Sequence, residues 1–144
     1  MKRISIILSA VLVIFSFIFT GVNTEASSRE DVLLGYVNEA RIKEGLQPLS
    51  LDATLTDAAL IRAKECDTSF SHTRPDGSAF YTVSPCVYGE NLAKANEYNT
   101  LLEVFEQWMA SPSHRANILY STSTKTGFGI YEADGVYYVV EEFD

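Results

Sequence analysis

The apolar residues of this chain recur at helical spacing over most of its length and switch to strand spacing only near the end. Val32, Leu33, Tyr36, Val37 and Ala40 step by three and four residues, as an amphipathic helix requires. Ser27 and Glu30 in front of them have capping-box spacing, and Gly45 and Pro48 mark the stop. Asp52 is placed to cap a second helix. Its buried face would carry Leu55, Ala58, Ala59, Arg62, Ala63 and Cys66, small enough for a neighbour to approach closely. A third helix is expected from Asn99 or Thr100, capped by Thr100 with Glu103. Leu101, Leu102, Val104, Phe105 and Trp108 form its apolar face, Trp108 is read as core, and Ser111-Pro112-Ser113 ends it. Residues 128–132 and 136–143 are rich in aromatic and β-branched side chains, and Ala133-Asp134-Gly135 between them reads as a hairpin turn. Helices precede the hairpin with no βαβ alternation. The expected class is therefore α+β, with helices covering a small antiparallel sheet.

The amino terminus does not belong to that domain. Lys2 and Arg3 precede an apolar run over residues 4–20, and Thr24-Glu25-Ala26 supplies small residues before a cut. This is the layout of a signal peptide over residues 1–26, leaving 27–144 as one domain. An uncleaved anchor is the rival reading. The chain of 144 residues carries 11 Lys and Arg against 19 Asp and Glu, a net charge of -8. Its basic residues are scattered, so no surface for nucleic acid is expected. The mature protein is expected to be secreted and not membrane-spanning.

Export gives the two cysteines a meaning. Cys66 and Cys86 would meet an oxidising compartment, and a bridge between them would contribute roughly 3 kcal/mol in the chain-entropy description. Two unpaired thiols are the alternative.

The chain has two histidines, His72 and His114. Each lies beside small polar residues and turn formers, off any apolar stripe, and Gly89-Glu90-Asn91 falls between them. Taken singly these are ordinary surface residues. Their order is more informative. Phe70-Ser71-His72-Thr73-Arg74-Pro75-Asp76-Gly77, then Gly89-Glu90-Asn91-Leu92-Ala93, then Trp108-Met109 with Ser111-Pro112-Ser113-His114-Arg115-Ala116-Asn117-Ile118-Leu119, then Gly127-Phe128-Gly129, resemble the CAP superfamily of secreted proteins. Val37-Asn38-Glu39-Ala40-Arg41 with Gly45-Leu46 and Pro48-Leu49 is similar to the opening of its bacterial, SCP-like branch.

The resemblance implies an α–β–α sandwich, with a three-stranded antiparallel sheet flanked by helices and a cleft lined by two His and two Glu. His72, Glu90 and His114 match three of the four. Ser111 stands where the second Glu is usual, so the set is a triad, with Asn91 and Ser111 as cleft neighbours.

Two imidazoles and a carboxylate form a plausible first shell for Zn²⁺ with an open position. Alternatively, Glu90 could serve as a general base between two positioning imidazoles, or it could be a purely structural carboxylate bonded to backbone amides. No nucleophilic Ser or Cys motif accompanies the triad. The expected function is an extracellular binding module for a small hydrophobic ligand, a glycan or a protein. The alternatives are a divalent-metal-dependent hydrolase and a structural protein of the envelope or spore surface.

Overall fold

A computed structural model describes residues 27–97 and 99–144, so the expected signal peptide lies outside the described residues. The first helix, α1, runs Arg29–Lys43. Its cap is Ser28, one residue later than expected, whose hydroxyl accepts from the Asp31 amide while the Asp31 carboxylate accepts from Ser28. Asp31 replaces Glu30 because the three-residue capping interval moves with the cap. Asn38 on α1 pairs its side-chain amide with both backbone groups of Leu49, at 2.7 and 2.9 Å, fixing the turn that follows.

Strand β1, Ser50–Leu51, leads into α2, Ala53–Thr68, which Asp52 caps through the Thr54 and Leu55 amides. A loop with one short 3-10 turn at Phe80–Val83 leads to β2, Gly89–Asn96. Helix α3, Leu101–Ala110, has the expected Thr100–Glu103 capping box. Helix α4, Pro112–Ile118, follows at once, and β3, Lys125–Ala133, and β4, Val136–Phe143, complete the order. Asp134 and Gly135 both have positive φ, 51° and 77°, as a tight hairpin turn needs.

The sheet order is β1-β3-β4-β2. The sheet thus has four strands rather than the expected three. The extra member, β1, is a two-residue parallel partner of β3, too short to show a period in sequence. The other pairings are antiparallel.

Helix α2 covers one face of the sheet. It comes so close that a Cβ at Gly127 would lie 2.1 Å from the Thr56 nitrogen, and one at Gly129 would lie 2.2 Å from the Ala59 carbonyl carbon. The alanine face of α2 and the Gly-x-Gly of β3 are two halves of one contact. Helices α1, α3 and α4 cover the opposite face. There Leu33, Val37, Val104, Trp108 and Ile118 pack on Ala93, Phe128, Val139 and Phe143, which makes Trp108 core as expected.

Arg41, fully buried at the end of α1, stitches this layer to the chain beyond α4. It donates to the carbonyls of Gln47, Ile118, Tyr120 and Ser123 at 2.7 to 3.1 Å.

Candidate functional site

Strand β2 is a sheet edge, and both helical layers reach it. Glu90 faces α2 and Asn91, its neighbour, faces the other way, because successive strand residues alternate. Arg62 of α2 is wholly buried. It donates to Glu90 Oε2 at 2.7 Å and Oε1 at 3.3 Å, to Glu65 at 2.6 Å and to the Ser71 carbonyl at 2.7 Å. Glu65 in turn holds Arg74 at 2.6 Å. One guanidinium therefore fixes both the carboxylate and the loop that presents His72.

His72 Nδ1 lies 2.8 Å from Glu90 Oε1, while its side chain remains 52% exposed. From the other layer, Asn91 Nδ2 donates to the His114 carbonyl at 3.2 Å, and Asn117 Nδ2 donates to the Glu90 carbonyl and to Asn91 Oδ1. The two imidazole centroids stand 6.4 Å apart, with Phe80 edge-on to His72. The geometry thus brings His72, Glu90, Asn91 and His114 together. Ser111 sits at the junction of α3 and α4, 3.2 Å from the Ser113 hydroxyl.

The electrostatics follow from burial. Burial alone would raise the Glu90 pKa, but the hydrogen bonds from His72 and Arg62 outweigh it and hold the group ionised below its ordinary range. Burial likewise opposes charge on Arg62, and its bonds to Glu90 and Glu65 reverse that, raising its pKa. Partial burial, and then the neighbouring His72, push His114 down, so its imidazole is neutral at neutral pH.

Two further carboxyls lie beside the site and were not singled out from sequence. Glu142 of β4 is paired with Glu90 in the register, and Glu141 with Asn91. Both are fully buried. Burial, reinforced by the Glu90 charge, drives Glu142 far up, and burial carries Glu141 up to about 8. Glu141 Oε2 accepts from Asn91 at 3.2 Å, while Oε1 lies 3.3 Å from the Thr126 hydroxyl. That hydroxyl has one proton, and the Glu142 carbonyl at 2.9 Å is its nearer acceptor. A protonated Glu141 donating to Thr126 satisfies every atom. The sequence signal was the alternation itself: adjacent glutamates in a strand covered on both faces point to opposite interiors.

Zinc on His72, His114 and Glu90 is one of the alternatives the sequence leaves open, and the donor set bears on it. Both Glu90 oxygens are occupied, by Arg62 and by His72, and among the described residues no three His, Cys, Asp or Glu side chains converge as a ligand set. Two imidazoles on one tetrahedral zinc, with Zn–N of about 2.0–2.1 Å, hold their centroids about 5 Å apart, which is closer than the 6.4 Å seen. A three-residue protein shell does not fit this arrangement. What the geometry presents is a pair of imidazoles, one oriented from behind by a carboxylate, that as they stand are too far apart to share one ion.

The expected disulfide is absent: Cys66 is buried and Cys86 exposed, both as free thiols. Cys66 belongs to the α2 face packed on Leu92, Tyr138 and Val140, whereas Cys86 faces solvent in the loop before β2. Arg62, not a disulfide, ties the His72 loop to the Glu90 strand.

The sequence profile of the CAP, cysteine-rich secretory protein, family matches residues 34–143. Uncharacterized protein YkwD of Bacillus subtilis (strain 168) is 35% identical over 128 residues, covering 82% of this chain and 48% of that protein. The chain therefore spans about half the length of the curated relative it matches. Among solved structures, an outer surface protein from Borrelia burgdorferi superposes with a TM-score of 0.64 at 23% identity, covering 78% of this chain and 88% of that one. NaASP2, solved with Zn²⁺, gives a TM-score of 0.63 at 15% identity, covering 84% and 82%. At these identities the superpositions show a shared fold.

Proposed function

The chain belongs to the cysteine-rich secretory protein (CAP) family, and on that premise we propose that it is an exported binding module, not a hydrolase. Its ligands are taken up at the face formed by His72 and His114. The observation that carries this reading is the state of Glu90. Its carboxylate is wholly buried, accepts from Arg62 and lies against His72 Nδ1, leaving no oxygen for water or substrate. A general base needs a free oxygen within reach of the proton it takes. Glu90 instead orients His72, leaving Nε2 of that exposed ring available. The neutral His114 across from it is equally competent as a donor.

A divalent ion is the simplest occupant of such a pair. That NaASP2 was solved with Zn²⁺ supports the choice of ion. His72 and His114 would hold it, with the remaining positions open to a ligand from solution, and the rings would have to close from their present separation.

Export rests on the amino-terminal pattern of residues 1–26. Among the described residues no helix is long and apolar enough to cross a membrane. The Borrelia neighbour is an outer surface protein, in keeping with an extracellular role for this chain.

The test is turnover. Purified protein given ester and peptide substrates with and without Zn²⁺ is expected to show no rate above that of Glu90→Gln. A zinc-dependent rate that Glu90→Gln abolishes would establish the hydrolase instead.

A further inference from the structure

A groove of about 490 Å³ opens between the start of β2 and the chain following α4. Its walls carry Tyr88 and Tyr120, 77% and 59% exposed, and between them lie Gly89, Asn117 and Phe143. We infer that this groove is a binding site for a neutral oligosaccharide, with Tyr88 and Tyr120 as its stacking platforms. The inference does not depend on metal at His72 and His114.

Exposed tyrosine rings are costly to leave in water, and here the backbone that carries each is anchored. The Tyr88 amide donates to the Phe143 carbonyl at 2.9 Å. The Tyr120 carbonyl accepts from the buried Arg41 guanidinium at 2.9 Å, and the Tyr120 amide donates to the Asn117 carbonyl at 3.1 Å. Binding therefore has little backbone left to order. A tyrosine ring offers a flat apolar face with a polar tip and few rotatable bonds, which suits the alternating C–H and hydroxyl faces of a sugar ring.

The polar groups agree with this. Asn117 spends its Nδ2 protons on the Glu90 carbonyl and on Asn91 Oδ1, so its Oδ1 is free to accept a sugar hydroxyl. Gly89 lies beside that oxygen, a Cβ there coming to 3.6 Å. The volume lies within the range of about 300–1,000 Å³ usual for small-molecule sites.

Charge selects the class of glycan. Among the described residues, the one ionised side chain on the groove is Asp144, a carboxylate, and the chain carries a net charge of -8. Both features repel an anionic polysaccharide.

The experiment is a calorimetric and NMR titration of the folded domain with chitohexaose and with cellohexaose, beside a sulfated oligosaccharide of similar length. At least one neutral sugar is expected to bind, with the sulfated one excluded. Tyr88→Ala and Tyr120→Ala are each expected to weaken binding about ten-fold, while Tyr81→Ala, equally exposed but outside the groove, leaves it unchanged. Both rings are solvent-exposed, so the variants should keep the wild-type circular dichroism and zinc response. No binding of either neutral sugar at millimolar concentration, preferred binding of the sulfated one, or undiminished binding by the double variant would each overturn the inference.

Discussion

Glu90 and Glu142 stand directly opposite each other across β2 and β4, both wholly buried, and Arg62 is the cation that makes the arrangement tolerable. Two carboxylates this close cannot both ionise. Arg62 and His72 claim the charge for Glu90, and Glu142 keeps its proton.

Removing Arg62 leaves that charge without its counterion. Arg62→Ala is expected to cost about 3–5 kcal/mol, the usual cost of stripping one partner from a buried pair. Arg62→Lys should recover only part, because one ammonium cannot reach Glu90, Glu65 and the Ser71 carbonyl together. Urea denaturation of the three proteins measures the difference.

Glu141 gives the pH dependence a definite sign. Its folded pKa of about 8 lies above the ordinary value of 4.5. Between those values the folded state holds a proton that the unfolded state releases, so stability falls as pH rises. Glu141→Gln keeps a neutral donor for Thr126 and removes the titration. The variant should match wild type near pH 4.5 and exceed it by on the order of 1–4 kcal/mol at pH 8. Melting curves across that window decide the matter; a pH-independent difference contradicts it.

Much of the fold was legible in the sequence because its signals were local. The Thr100–Glu103 capping box, the alanine face of α2 and the span of β4 are each written in adjacent residues, whereas the first box lies one residue later than the spacing suggested. Other features were not. Ser111-Pro112-Ser113 reads as a stop, yet Pro112 occupies the first turn of α4, where a proline needs no amide partner, and so His114 rides on a helix. The site was harder still. His72, Glu90 and His114 were found through their order in the chain, but the Arg62–Glu90 pair joins elements 28 residues apart, and only the presence of Arg62 on an alanine face hinted at it. The cysteines are a similar case: compartment favours pairing, whereas in the fold both are free thiols, one on the buried face of α2 and one exposed before β2.

The thiols should therefore behave differently from each other. Cys86 is exposed, whereas burial pushes the Cys66 thiol up to about 11. Iodoacetamide is expected to label Cys86 in the native protein and Cys66 only after denaturation. Dithiothreitol should leave the melting temperature unchanged.

Gly129 tests the packing that carries α2 and Arg62 to the site. A methyl group there meets the Ala59 and Leu60 backbone at 2.2 to 2.3 Å, and backbone cannot rotate away. Gly129→Ala should destabilise by about 3 kcal/mol or more. Gly35→Ala, with nothing within 4 Å, serves as the control and should be neutral or slightly stabilising.

The central claim is that His72 and His114 form one binding site and that Glu90 supports it from behind. Zinc titration by calorimetry, on wild type, His72→Ala, His114→Ala and Glu90→Gln, tests it most directly. The account predicts that either histidine change abolishes binding, and that Glu90→Gln retains it about 10–100-fold more weakly, as loss of an orienting carboxylate does. Zinc binding that survives both histidine changes, or that is indifferent to Glu90→Gln, would contradict it.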